Sequence, residues 1–91
     1  MIMRNNEPNW EKLGYVLASE YRIKIIRILK NGPQRPKDIA LGTGMYLSHV
    51  SNILKGLQEK GLVRCLTPRL KRGRLYSLTD EGKKVAQHLK N

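Results

Sequence analysis

Short polar side chains line one face of a predicted amphipathic helix in the middle of the chain. Between about 47 and 60, apolar residues recur at helical spacing, and Gly61 ends the pattern; they are Val50, Ile53, Leu54 and Leu57. The opposite face carries Ser48, His49, Asn52, Lys55 and, towards its end, Glu59. Ser, His and Asn can hydrogen-bond the edges of bases, and Asn pairs bidentately with adenine. The face therefore predicts a helix that reads DNA, with an ordinary solvated surface as the alternative.

A run of cations without a single acid lies downstream of this helix. Between Lys60 and Thr79 the chain holds six Lys and Arg residues and no Asp or Glu. Four of the six fall within six positions beside the turn residues Pro68 and Gly73; they are Arg69, Lys71, Arg72 and Arg74. The flanking stretches 62–67 and 74–78 alternate like strands, which predicts a hairpin with a basic tip. Phosphates or a narrow minor groove would relieve the repulsion at this tip, whereas a merely soluble loop is the alternative.

Caps and helix breakers place the elements that precede these two features. Residues 1–9 are expected to form a flexible polar arm, and a short helical pattern then runs from Trp10 to Leu17. Ser19 is an N-cap for a second helix, which Gly32 ends. The apolar stripe of this second helix consists of Tyr21, Ile25, Ile28 and Leu29, widened by Ile23 and Ile26.

A third helix opens at Pro36 and is separated from the segment 47–60 by a turn at Gly44. Two helices joined in this way form a helix-turn-helix unit, whose second helix can enter the major groove. Gly56 within that helix costs about 1 kcal/mol relative to Ala; it permits a close backbone approach or, as we favour, reflects an accident of packing. Thr79 caps a last helix. The predicted fold is mainly α with a small β-hairpin, in the order α-α-α-α-β-β-α.

Composition limits the chain to one small domain with a strongly basic surface. Its 91 residues carry a net charge of +11, which attracts nucleic acid, an anionic membrane or an acidic protein. A single Cys65 excludes an internal disulfide and a multi-cysteine zinc site. The chain has no signal peptide, membrane-length apolar run, glycine-rich phosphate loop or catalytic triad signature. We therefore expect an intracellular, cytoplasmic protein that is not an enzyme and has no membrane partner.

Most of the chain, from about 17 to 89, resembles the winged helix-turn-helix regulators of the arsenical-resistance (ArsR) and multiple-antibiotic-resistance (MarR) type. The resemblance covers IKIIRILKNGPQRPKDIALGTGMYLSHVSNILKGLQEKGLVRC and then GRLYSLTDEGKKVAQHL. Its most specific segments are SHVSNIL in the recognition helix, LQEKGLV leading into the wing, and YSLTDEG leading into the last helix. These segments are specific for the superfamily and do not select a family within it.

The resemblance implies a transcriptional regulator that binds double-stranded DNA in a sequence-specific way. The groove-facing start of the recognition helix would be Leu47, Ser48, His49, Ser51 and Asn52, and the wing would be Arg69, Lys71, Arg72 and Arg74. Such proteins are usually homodimers whose recognition helices lie about 34 Å apart. Candidates for the dimer interface are Trp10, Leu13, Val16, Leu17, Val85 and Leu89, for which a place in the core is the alternative role.

The chain differs from the metal-sensing and the drug-sensing members of this superfamily. Metal-sensing members carry paired Cys or clustered His and carboxylates, whereas this chain has one Cys and two distant His residues, His49 and His88. Drug-sensing members have long terminal helices around a ligand pocket, for which 91 residues leave little room. We expect no metal or cofactor, and the sequence contains no evidence about a small-molecule effector. The alternatives to a specific regulator are a non-specific architectural or nucleoid DNA-binding protein and a winged-helix module that binds RNA or protein.

Overall fold

The computed structural model describes residues 7–89 of the chain. Over this range the elements follow one another as α1 (Trp10–Leu17), α2 (Glu20–Leu29), α3 (Pro36–Thr43), α4 (Leu47–Glu59), β1 (Val63–Cys65), β2 (Tyr76–Leu78) and α5 (Asp80–Gln87). The two strands are antiparallel, with Arg64 opposite Ser77. Five helices and a two-stranded hairpin within the described residues confirm the predicted fold class and the predicted element order.

Both strands are shorter than the alternating pattern predicts, with three residues each in place of 62–67 and 74–78. The Leu66 N–H still donates to the Leu75 carbonyl at 2.7 Å. One residue further, however, the Leu75 N–H donates to the Thr67 hydroxyl at 2.9 Å. A side chain therefore takes the place of the next backbone partner, and the loop that forms the wing begins here.

Side-chain caps begin three of the helices. Ser19 and Thr79 accept backbone N–H groups at the starts of α2 and α5, as predicted, and Asn9 does the same at the start of α1. The predicted flexible arm, 1–9, falls largely outside the described residues. Within its described part Pro8 is buried and Asn9 caps α1, so residues 8 and 9 belong to the folded domain.

Aliphatic residues from all five helices and both strands form one core. Its buried members are Leu13, Val16, Ile25, Ile26, Leu29, Ile39, Val50, Leu54, Leu57, Leu62, Val63, Leu78, Val85, Ala86 and Leu89. Ile23 and Ile28 pack against this core and are partly buried. Tyr21 does not belong to it, because its side chain is 46% exposed. The apolar residues of α2 cover more than one side of the helix, and the neighbouring helices decide which side is buried.

The Tyr15 side chain of α1 lies against the glycine within α4. A Cβ atom added at Gly56 would lie 2.6 Å from the Tyr15 hydroxyl oxygen. The Arg22 guanidinium stacks 3.7 Å from the centre of the Tyr15 ring and donates to the Tyr15 carbonyl at 2.7 Å. Tyr15 thus contacts Arg22 of α2, and its hydroxyl lies beside Gly56 of α4. Gly56 leaves space for the end of this side chain, and no backbone of another element comes within 4 Å of a Cβ built there.

A one-residue β-bridge ties the helix-turn-helix to the hairpin. The Gln34 N–H donates to the Tyr76 carbonyl at 2.9 Å, and the Tyr76 N–H donates to the Gln34 carbonyl at 2.8 Å. Gln34 lies just before α3, and Tyr76 is the first residue of β2. The bridge therefore holds the beginning of α3 beside the base of the wing.

Candidate nucleic-acid interface

The recognition helix α4 presents its polar face to solvent because its apolar face is buried. Val50, Leu54 and Leu57 are buried in the core, which turns the other side of the helix outward. All six residues predicted as DNA contacts on this helix are exposed: Leu47, Ser48, His49, Ser51, Asn52 and Lys55. The first turn contains no acidic residue. The start of the exposed face is thus rich in hydrogen-bonding groups and free of acid, whereas the exposed Glu59 lies at the other end of the helix.

His49 is held in place by a residue that sequence reasoning assigned to the core. The Tyr21 ring meets the His49 ring edge-on, with 4.7 Å between the ring centroids. The Lys24 ammonium lies 5.9 Å from the centre of the same Tyr21 ring. Tyr21 therefore supports one of the predicted base-reading side chains, a role that becomes visible only when α2 and α4 are placed side by side.

The wing, residues 68–74, is a loop that is closed by its own hydrogen bonds. The Leu70 N–H donates to the Thr67 carbonyl at 3.1 Å, and the Arg74 guanidinium Nε donates to the Leu70 carbonyl at 2.6 Å. Gly73 has φ +66°, a left-handed conformation that favours glycine. All four predicted wing cations are exposed: Arg69, Lys71, Arg72 and Arg74. Arg74 also fixes the shape of the loop.

A groove of about 490 Å³ joins the wing to the start of the recognition helix. We call it the basic groove; its lining residues are Arg35, Pro36, Lys37, Leu47, Ser51, Lys71, Arg72, Gly73, Arg74 and Tyr76. Five of these ten residues are cationic and none is acidic. Two of the predicted helix contacts, Leu47 and Ser51, therefore share this groove with three of the predicted wing cations. The remaining predicted contacts are exposed but do not line the groove; they are Ser48, His49, Asn52, Lys55 and Arg69.

Arg35 and Lys37 are members of this groove that sequence reasoning missed. Their signal was the triplet Arg35-Pro36-Lys37, in which two cations flank the first residue of a helix. The Arg35 Nε atom lies 3.9 Å from the position of a Cβ atom built on Gly73. The Gln34–Tyr76 bridge accounts for this closeness, because it anchors the residue before Arg35 to the hairpin.

The six candidates for a dimer interface separate into two groups. Leu13, Val16, Val85 and Leu89 are buried in the core of the single chain, which is the alternative role considered for them. Trp10 is 62% exposed and Leu17 is 53% exposed, and both lie on α1. The Trp10 ring contacts only the edge of His88 among the aromatic rings, with centroids 5.7 Å apart. Of the six candidates, only Trp10 and Leu17 have apolar surface available to a second subunit.

No group of three His, Cys, Asp or Glu residues between 7 and 89 converges on a point where a metal ion could bind. Cys65 is a half-buried free thiol in β1. None of the helices in the described part of the chain has the length and apolar content that a membrane crossing needs.

Comparison with known proteins identifies helix-turn-helix domains that are similar to this chain. Residues 23–65, from α2 to β1, match the family described as the IclR helix-turn-helix domain. The chain is 33% identical over 75 residues to YdgG of Bacillus subtilis, an uncharacterized HTH-type transcriptional regulator; the match covers 78% of this chain and 49% of that protein. It is 38% identical over 68 residues to the phenylalanine–tRNA ligase alpha subunit of Metallosphaera sedula, covering 74% of this chain and 14% of that subunit. The chain thus spans less than half the length of either relative.

A solved structure shows the likeness over most of the chain. A homodimeric winged helix-turn-helix DNA-binding domain from Mycobacterium bovis, a possible ArsR-family transcriptional regulator, superposes with a TM-score of 0.68 at 31% identity. The superposition covers 86% of this chain and 68% of that one. The chain is therefore a winged helix-turn-helix protein of the superfamily that contains the ArsR-type and MarR-type transcriptional regulators.

Proposed function

We propose that this protein binds double-stranded DNA sequence-specifically and acts as a transcriptional regulator. The helix α4 lies in the major groove, where Ser48, His49 and Asn52 meet base edges, and the wing contacts the backbone or the minor groove. The observation that carries the proposal is the basic groove, in which the start of α4 and the wing share one acid-free surface. A duplex that fills this surface touches both features at once.

The beginning of α4 adds support for phosphate contacts on this surface. It starts at Tyr46 without a side-chain cap and has no acid in its first turn. Such a helix start leaves backbone N–H groups that bind phosphate oxygens well. α3 also starts without a side-chain cap, but Pro36 has no N–H and Asp38 lies in the first turn, so this argument applies to α4 alone.

Selection of bound sequences from random duplex DNA tests the proposal. We expect a short motif to emerge and the selected duplex to bind about 10³-fold or more tightly than a scrambled duplex of the same length. Fluorescence polarisation at a fixed salt concentration measures this ratio. A ratio of only a few-fold would identify the protein as a non-specific architectural DNA-binding protein.

A matched pair of triple variants tests the wing. Changing Arg69, Lys71 and Arg72 to Ala should flatten the dependence of log affinity on log salt by about 3 units, because each lost phosphate contact removes about 0.9. The control variant changes to Ala three cations that lie outside both the wing and the basic groove, namely Lys12, Lys30 and Lys83. Both variants lower the net charge by three. An equal change in slope would mean that overall charge, and not the wing, determines the affinity.

We further propose that the protein is a homodimer that uses the exposed face of α1. The support is the homodimeric state of the Mycobacterium bovis domain together with the exposed Trp10 and Leu17. Changing both residues to Ser should leave the circular dichroism spectrum unchanged and convert dimer to monomer in sedimentation velocity. A dimer also predicts a palindromic motif in the selected DNA, because its two recognition helices contact two half-sites.

RNA binding is a second candidate, favoured by the match to a tRNA ligase subunit. It predicts that a folded RNA of tRNA size competes for the protein better than any duplex DNA. Competition against the selected duplex at equal salt separates the two candidates. A duplex that outcompetes the RNA by a large factor supports DNA as the partner.

A further inference from the structure

Two apolar side chains at the beginning of α4 have no place in the core. Tyr46, the residue before the helix, is 85% exposed, and Leu47, its first residue, is 51% exposed. Neither is among the buried residues of the core or the partly buried residues that pack on it. We call this pair the apolar tip. It places apolar surface at the end of the helix that enters the DNA groove in the proposed function.

The surroundings of the apolar tip limit what can cover it. Ser48 and His49 follow it directly along the helix and are exposed. Leu47 also lines the basic groove, together with Ser51 of α4 and the cations Lys71 and Arg72. A second copy of a chain with a net charge of +11 would bring like charge against these cations. These surroundings favour an anionic partner that presents an apolar group among polar ones.

The major groove of DNA has this combination. Base pairs present hydrogen-bond donors and acceptors there, and thymine adds its C5-methyl group, which apolar side chains contact. We propose that Tyr46 and Leu47 contact thymine C5-methyl groups and thereby select A·T pairs at fixed positions of the recognised sequence. This inference rests on the proposed function and adds a determinant of specificity to it.

Replacing thymine by deoxyuridine tests the contact on the DNA side. The change removes the methyl group and keeps the O4 acceptor and the pairing with adenine. In the selected duplex, each thymine is replaced singly, and affinity is measured with the full-length protein. We expect about fourfold weaker binding at one or more thymines, which corresponds to the burial of one methyl group. Replacement in the sequence that flanks the motif is the control and should leave the affinity unchanged.

Protein variants assign the effect to the apolar tip. Leu47→Ala and Tyr46→Ala should each fold normally, because both side chains are exposed, and circular dichroism checks this. The variant that removes the contact should bind the thymine and deoxyuridine duplexes equally, whereas Leu47→Met, which keeps an apolar side chain, should retain the difference. Affinity for a scrambled duplex should be unchanged in all three variants, because phosphate contacts remain.

The possible failures can be told apart. If the selection produces no motif, the proposed function fails and this inference fails with it. If a motif binds about 10³-fold more tightly than random duplex but every deoxyuridine changes affinity by less than about twofold, only the inference on thymine is overturned. The same holds if a deoxyuridine effect persists at full size in both alanine variants.

Discussion

Replacing Gly82 by alanine tests how α5 is held against the rest of the domain. Gly82 lies in the first turn of α5, and a Cβ atom built there would fall on the Leu62 carbonyl oxygen, far inside van der Waals contact. The same Cβ would lie 3.2 Å from Leu78 Cδ2. The Leu62 oxygen is not free to move, because it accepts a hydrogen bond from the Thr79 N–H at 3.0 Å. Alanine therefore forces α5 away from the hairpin.

Two destabilising contributions and one stabilising contribution determine the expected change in the free energy of unfolding. Overpacking of this kind costs about 1–3 kcal/mol, and loss of the hydrogen bond adds about 1 kcal/mol. The higher helix propensity of alanine returns about 1 kcal/mol. We expect Gly82→Ala to lower the free energy of unfolding by about 2 kcal/mol. For a domain of this size that corresponds to a Tm lower by about 8–16 °C.

Gly14→Ala is the matched control in another helix. A Cβ at Gly14 of α1 meets no atom within 4 Å, so only the propensity term acts, and we expect a gain of about 0.5–1 kcal/mol. Urea unfolding monitored by circular dichroism measures both variants, at protein concentrations low enough for the midpoint to be independent of concentration. Equal stability changes in the two variants would refute the claim that the Leu62 contact requires a glycine at 82.

Three further predictions concern single side chains. Asn52→Ala should lose discrimination at one or two base pairs while keeping its affinity for random duplex; equal loss of both would make Asn52 a backbone contact or a structural residue. Arg35→Ala should flatten the salt dependence of log affinity by about 0.9, and Lys30→Ala, outside the basic groove, should leave the slope closer to that of the unchanged protein. Thr79→Ala should cost about 1–2 kcal/mol of folding free energy in urea unfolding, because the cap of α5 is lost, and Thr79→Ser should retain most of it.

Local signals were sufficient to predict the elements and the exposed face of α4. Ser19 and Thr79 indicate helix starts because their hydroxyl oxygens can accept a hydrogen bond from a backbone N–H three residues later. The spacing of the apolar residues predicts the polar face of α4. Because Val50 and Leu54 are buried on one side of the helix, Asn52 lies on the side that faces solvent. These inferences needed no knowledge of the neighbouring elements.

Features that depend on contacts between distant segments could not be predicted in the same way. The Gln34–Tyr76 bridge is one residue long on each side, too short to have a period, and the place of Arg35 in the basic groove depends on it. Tyr21 lies at a spacing compatible with the core, yet it contacts His49 at the surface. From the sequence alone, Gly82 is only a residue of low helix propensity. The need for a glycine becomes evident from the position of the Leu62 carbonyl oxygen in the fold.

The most direct test of the DNA-binding surface is a map of amide chemical shifts during titration with the selected duplex. The account predicts that the largest ¹H–¹⁵N shift changes fall together in Arg35, Lys37, residues 47–55 and residues 69–74. Changes concentrated on α1 and α5, with the first two turns of α4 and the wing unaffected, would contradict it.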